Sequence, residues 1–323
     1  MNLRHGGNIF AFAHANGCRW QDVADFSASI NPLGPSPRVR PAILDALDRI
    51  VHYPEAEPST LRHALAGHWN LDPDTLILGN GATDLIHFFA RNIATTRVRL
   101  AAPVFSEFHR AFPSAEVVPF DSTSWTGPGL VVVTRPANPT GAMPALDACD
   151  TPLLVDESFL EFTGAPSLAG TRENLFVLRS LTKFHALPGL RIGALAGPAA
   201  LMTQWRARRE PWPVNVLAEA AVLASIADHD HAARTIAFVR REREWLTARL
   251  AEISGLHPLP SQANYMLVAL DQPAAPLVEN LARRRILVRD CSGWPGVGFA
   301  HAIRLAVRTR EENLRLLEAL CAS

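Results

Sequence analysis

The chain has 323 residues, 48% apolar and 19% charged, with Lys+Arg and Asp+Glu balanced at 31 each. Such a chain can bury a large core without disulfides and has the length of about two domains at roughly 150 residues apiece. Zero net charge leaves no basic footprint for nucleic acid or an anionic membrane surface. No run approaches the ~18 consecutive apolar residues of a membrane span.

Residues 1–7 lack the apolar core of a signal peptide. Cys18, Cys149, Cys291 and Cys321 are scattered and form no C-x-x-C. A reducing, cytoplasmic setting without a zinc site or disulfide framework is expected.

The first 40 residues carry many turn signals and are expected to pack on a smaller C-terminal unit. Residues 41–210 read as alternating strands and helices. Thr75–Leu78 is a short strand, closed by Gly79-Asn80-Gly81 and followed by a helix over Ala82–Asn92. Further strands are predicted at Val98–Ala101, Val117–Phe120, Leu130–Thr134, Leu153–Val155, Leu175–Leu178 and Ile192–Ala196. These runs are continuous rather than alternating, which suits strands buried on both faces. Strands alternating with helices imply an α/β fold with a mainly parallel sheet.

Beyond Glu210 the pattern changes. Val214–Ala227 and Ala232–Ile253 read as long helices, separated by a polar break at His229-Asp230-His231 that is expected to be a solvated loop rather than a metal site. Strand Tyr265–Leu270, a helix near Pro276–Arg285, strands Ile286–Arg289 and Ile303–Val307 and a last helix over Arg310–Leu320 complete a smaller α+β unit over 211–323.

The chemistry concentrates at strand ends. Ser180, Thr182 and Lys183 lie together, followed by Arg191. A lysine forms a Schiff base with an aldehyde, and the two hydroxyls and the guanidinium are donors that suit a phosphate. An aldehyde and a phosphate on one small molecule describe pyridoxal 5'-phosphate (PLP); a basic surface turn is the plain alternative. Gly81, Ala82 and Thr83 open the predicted helix, where glycine backbone and the helix N-terminus favour an anion. Asp156 ends a strand, where it either protonates a pyridine nitrogen or caps a turn. Asn138, in Asn138-Pro139-Thr140-Gly141, offers an amide to the ring oxygen and to a substrate carboxylate. Phe105 either stacks on the ring or serves as a core aromatic.

In chain order, from the glycine turn through Phe105, Asn138, Asp156 and the Ser180–Lys183 run to Arg191, these motifs resemble the fold-type-I PLP enzymes, in the class I/II aminotransferase family. The resemblance spans Asn31 to Arg304 and implies a PLP-binding large domain with a smaller α+β domain. It implies that Lys183 is the Schiff-base lysine, Asp156 the partner of the pyridine nitrogen and Asn138 the donor to the ring oxygen. Gly81, Ala82, Thr83, Ser180, Thr182 and Arg191 are then the phosphate cradle. It also implies that Tyr53 reaches the PLP phosphate of a neighbouring subunit, hence a homodimer with shared active sites. Arg304 would grip the substrate carboxylate.

The segments His5-Gly6-Gly7-Asn8, Ser27–Gly34, Asp156–Phe162 and Val288–Cys291 further resemble the threonine-phosphate decarboxylases of cobalamin biosynthesis. That group converts L-threonine O-3-phosphate to (R)-1-aminopropan-2-ol phosphate and carbon dioxide. His5, Asn31, Asn138, Arg289 and Arg304 are the expected substrate ligands. Phe159 departs from the tyrosine that many aminotransferases carry there, so one phenol to the ring oxygen is missing. The rival expectations are a histidinol-phosphate-type aminotransferase and a non-catalytic PLP-fold subunit of corrinoid assembly.

Overall fold

The structure, a computed structural model, describes residues 6–95, 97–120, 125, 127–146 and 151–322. The first part of the chain forms α1 (Ile9–Ala15), β1 (Ala24–Asp25), α2 (Val39–Ala46), α3 (Ser59–Trp69), β2 (Leu76–Gly79), α4 (Ala82–Asn92), β3 (Val98–Ala102), α5 (Ser106–Ala111) and β4 (Glu116–Pro119). Then come β5 (Leu130–Thr134), β6 (Leu153–Asp156), β7 (Leu175–Ser180), β8 (Gly193–Ala196), α6 (Ala199–Arg206), α7 (Val216–Ile226) and α8 (His229–Ala251). The last part holds β9 (Leu256–Pro258), β10 (Tyr265–Leu270), α9 (Ala274–Arg283), β11 (Ile286–Leu287), β12 (Arg289–Asp290), β13 (Ala302–Ala306) and α10 (Arg310–Cys321).

A seven-stranded sheet runs in the order β2-β8-β7-β6-β5-β3-β4. Its pairings from β7 through β6, β5 and β3 to β4 are parallel, while β8 runs antiparallel to both β2 and β7. Strands β5, β6 and β7 are buried along their whole length, as their unbroken Val/Leu runs require. One core, including Val131, Val133, Val155 and Val177, lies on one sheet face. The other, including Leu100, Val132, Leu154 and Leu178, lies opposite, under α4. α4 buries Leu85, Ile86, Phe88 and Phe89, the spacing of one helical face. The expected unit boundary at 210 falls between α6 and α7. α7 nevertheless packs into the core of the large sheet through Ala218, Ala221 and Val222.

A four-stranded sheet, β12-β13-β10-β9, carries its own core with α8, α9 and α10. α10 begins with a capping box between Thr309 and Glu312. The N-terminal segment joins this unit: β1 pairs with β11, and Phe26 is buried in the same core. The expected loop at 229–231 is the first turn of α8. Asp228 caps that helix by accepting from the His231 amide at 3.1 Å, and His231 is buried. Polar residues in a first helical turn resemble a break because the capping carboxylate takes the place of an apolar face.

The ends of β5 and β6 are tied by a buried ion pair. The Glu157 carboxylate accepts from Arg135 at 3.0 Å, from the Leu168 amide at 3.0 Å and from Ser167 at 2.5 Å. Arg135→Ala would strand this carboxylate in the interior, and a loss of about 3 kcal/mol is expected. The denaturant midpoint against wild type measures it; a shift within error would show that the pair is not needed.

Candidate active site

The C-terminal ends of β5, β6 and β7 deliver Asn138, Asp156 and the Ser180–Lys183 turn to one cavity, with the N-terminus of α4 beside them. Parallel strands discharge their loops at this edge, where α/β sheets bind ligands. The wall also includes Ala82, Thr83, Phe105 and Arg191 from the large sheet, and Arg289 and Arg304 from the small one.

At one end, Ser180 and Thr182 share a 2.8 Å hydrogen bond between hydroxyls. Gly81, at φ +86°, leaves no room for a Cβ beside the Arg191 guanidinium. Arg191 itself is in the left-handed region, φ +58°. Such a backbone is uncommon outside glycine and here brings the side chain back to the glycine turn. The turn is braced from behind: Asp84 accepts from the Asn80 amide at 2.8 Å and pairs with Arg209.

At the other end, Asp156 is 5% exposed and accepts from the Ser158 amide at 3.0 Å. Burial pushes its pKa up, opposed by the Ser158 hydrogen bonds and by Lys183. Arg304 is also buried. Its Nη1 donates to Asn138 Oδ1 at 2.7 Å and its Nη2 to the Ser27 carbonyl at 2.5 Å. The first bond orients the Asn138 amide so that Nδ2 remains as its donor edge. Among the described residues Arg304 Nε, Thr134 Oγ1 and Ser29 Oγ are buried without a partner. Buried polar atoms of this kind ordinarily find one.

Other expected positions lie elsewhere. Asn31 is not on the cavity wall. Its amide donates to the Phe184 carbonyl at 2.9 Å and to Thr235 at 3.0 Å, its Oδ1 accepts from Leu33, and its backbone N–H donates to the Lys183 carbonyl at 3.1 Å. It thus clamps the Lys183 loop. Tyr53 is 80% exposed and stacks on Trp212 at 4.6 Å, away from the cavity of its own chain. His5 lies outside the described residues. Phe159 packs edge-on against Tyr265 at 4.9 Å, and the Tyr265 hydroxyl donates to the Ala137 carbonyl at 3.0 Å. Ser27 and Ser158, from segments that carry the family resemblance, join the wall together with Thr134 and Trp294, though none of the four is among the expected site residues. One signal was in the composition: Lys183 is the only lysine of the chain.

Residues 21–320 match the family Aminotransferase class I and II. The chain is 33% identical to a threonine-phosphate decarboxylase of Salmonella typhimurium, over 99% of this chain and 96% of that protein. It is also 33% identical to a histidinol-phosphate aminotransferase of Symbiobacterium thermophilum, over 94% and 91%. A solved L-threonine-O-3-phosphate decarboxylase from Porphyromonas gingivalis superposes with TM-score 0.82 at 24% identity, over 92% of this chain and 98% of that one. A histidinol-phosphate aminotransferase from Sinorhizobium meliloti, solved in complex with pyridoxal-5'-phosphate, gives 0.83 at 23% identity, over 99% and 95%. The chain belongs to the class I and II aminotransferase family. Its fold is that of the fold-type-I PLP enzymes and its cofactor is PLP.

The cavity fits that cofactor. Its hydroxyls, helix N-terminus and Arg191 are donors for a phosphate, its buried carboxylate can face a pyridinium, and its sole lysine is within the same wall. Burial, then the charges of Arg191 and Arg304, lower the Lys183 pKa to about 8, with Asp156 opposing. The neutral amine is the nucleophile, and it predominates above that pH. Capture of added PLP by the apoprotein should therefore speed up as pH rises through about 8 and level off beyond it. Below that pH it should slow by roughly tenfold per unit, as the neutral fraction falls. Stopped-flow absorbance measures this; a rate flat across the same range would disprove it.

Proposed function

We propose that the chain decarboxylates L-threonine O-3-phosphate to (R)-1-aminopropan-2-ol phosphate and carbon dioxide, as a cytoplasmic homodimer serving cobalamin biosynthesis. The carrying observation is the pair Arg289 and Arg304. They are directly opposed across β12 and β13, so both side chains leave the same sheet face, and both line the cavity with Lys183. Like charges opposite one another are unfavourable in a sheet. A substrate with two anionic groups supplies the missing counter-charge. The Salmonella and Symbiobacterium relatives are both named for a phosphorylated substrate.

When bound, PLP provides the electron sink for charge left on the substrate Cα. Asp156 would hold the pyridine nitrogen in its protonated form. Asn138 Nδ2 would donate to the ring oxygen, and Phe105, on the same wall, would pack against the ring. The Gly81–Thr83 turn, Ser180, Thr182 and Arg191 hold the cofactor phosphate, joined by Tyr53 of the partner subunit. Arg304 forks the substrate carboxylate through Nε and Nη, and Arg289 takes its phosphate. By fixing these two anions, Arg304 and Arg289 would set which substituent of the substrate Cα is placed to leave. Lys183 Nζ would then deliver to Cα the proton that takes the place of the carboxylate lost as carbon dioxide.

Phe159 favours this reading over a generic transaminase. The chain has two tyrosines. Tyr53 is outside the cavity and Tyr265 is committed to Ala137, so neither supplies its own chain with a phenol for the ring oxygen. The second reading, a histidinol-phosphate-type aminotransferase, is favoured by equal identity to the Symbiobacterium relative. Incubation with PLP and L-threonine O-3-phosphate, with and without 2-oxoglutarate, separates them. Carbon dioxide release independent of the keto acid is expected. Amino transfer without carbon dioxide, from this substrate or from histidinol phosphate in a parallel assay, would overturn the decarboxylase in favour of the transaminase, and no reaction with either substrate would point to a non-catalytic subunit.

A further inference from the structure

Arg289 sits opposite a second guanidinium, yet among the described residues it forms no ion pair with a carboxylate and no hydrogen bond through its side chain. Its neighbour Asp290 is turned to the Ser292 amide at 2.8 Å. What Arg289 does contact is an indole: its Cζ lies 4.9 Å from the Trp294 ring centroid. Arg304 rests on an aromatic in the same way, 5.3 Å from the Tyr265 centroid. The face of an aromatic ring attracts a guanidinium without neutralising it, so the charge stays available to a ligand. A carboxylate in the same place would compete with the anion to be bound.

Trp294 is also rigidly placed. Its amide donates to the Cys291 carbonyl at 3.2 Å, and its carbonyl accepts from Val297 at 3.1 Å. Gly296, at φ +77°, lies so close to the large-sheet turn that a Cβ would come within 2.5 Å of the Ala102 carbonyl carbon. The loop of the small sheet is thereby seated on the segment that leads to Phe105. Trp294 lines the cavity that holds Lys183 and also a second one beside α1.

We propose that Trp294 is a positioning residue for substrate selection: its indole holds the Arg289 guanidinium on the cavity wall, opposite Arg304, so that the side-chain charge of the substrate is read there. This rests on the reading that Arg289 receives the substrate phosphate. Ordinary packing is the competing role, since Trp294 also touches the small apolar group of Leu267, Cys291, Val297 and Ala302. The two roles differ in what a substitution should disturb. Lost packing weakens every ligand alike, whereas a misplaced Arg289 weakens only those that carry the second anion.

Spectral titration of the PLP-loaded wild type, Trp294→Leu and Trp294→Phe with L-threonine O-3-phosphate and with L-threonine tests this. In Trp294→Leu the dissociation constant for the phosphorylated ligand should rise roughly 2- to 30-fold, the range of a cation–π contact, with L-threonine unmoved. Trp294→Phe, which keeps an aromatic face, should retain most of the discrimination. Equal weakening of both ligands in Trp294→Leu, or unchanged binding of the phosphorylated one, would overturn the proposal. Should the Leu variant fail to fold, a Phe variant that loses all discrimination overturns it, and one that keeps discrimination supports it. A wild type that binds both ligands equally removes the phosphate reading itself, and the role of Trp294 with it.

Discussion

Lys183→Ala should yield a folded protein to which borohydride can fix no PLP on any internal residue, with turnover lower by at least ~10³-fold, within the range of a lost acid–base group. The expectation is sharp because no other lysine exists in the chain. The only other amine is the N-terminal one. Arginine cannot stand in, since its guanidinium stays protonated at any accessible pH. Lys183→Arg should therefore fail as completely, although it keeps the charge, and the pair of variants separates nucleophile from cation. Stability should not fall, because Lys183 is held among Arg191 and Arg304 and its own ammonium form is disfavoured there. Mass spectrometry of borohydride-treated, digested protein gives the result. Label on an internal peptide of Lys183→Ala, or activity within tenfold of wild type, would mean that covalent capture by this side chain is not the basis of the reaction.

Much of this site was legible because its parts are local. A strand end and the few residues after it form one short word in sequence, so Asp156, Asn138 and the Ser180–Lys183 run could be read and placed. The helix Ala82–Asn92 and the strands Leu130–Thr134 and Tyr265–Leu270 match their expected limits, since each is bounded by a sharp change in apolar pattern. What could not be read depends on distant pairing. Arg289 and Arg304 become neighbours only through the β12–β13 ladder. Trp294 gains its role from a loop that meets the large sheet at Ala102. Asn31 is an expected substrate ligand because it lies in Ser27–Gly34, a segment that carries the family resemblance. In space its amide is consumed by the Lys183 loop and by Thr235. The antiparallel course of β8 was hidden because an apolar strand carries no mark of direction.

Arg304 should prove the most demanding position after Lys183. Its guanidinium donates to Asn138 Oδ1 and the Ser27 carbonyl, and its Nε, which has no partner among the described residues, is the group proposed to take the ligand. On the proposed reading, Arg304→Gln removes the buried charge that would hold the substrate carboxylate. Such losses cost about 2–5 kcal/mol, so kcat/KM should fall by roughly 30- to 5000-fold. Arg304→Lys should recover little of this, because an ammonium cannot span three partners set in one plane. PLP should also dissociate more readily from both variants, since Asn138 loses the contact that turns Nδ2 toward the ring. The most telling readout is the fate of the substrate rather than its rate. If the fork holds the carboxylate in the orientation that lets it leave, loosening it lets other Cα bonds approach the normal to the ring. A larger share of turnovers by Arg304→Lys should then end in amino transfer instead of carbon dioxide, counted as PLP converted to its amine form per carbon dioxide released. An unchanged ratio, with the rate reduced, would assign Arg304 to affinity alone and move the choice of bond to Arg289 and the loop that supports it.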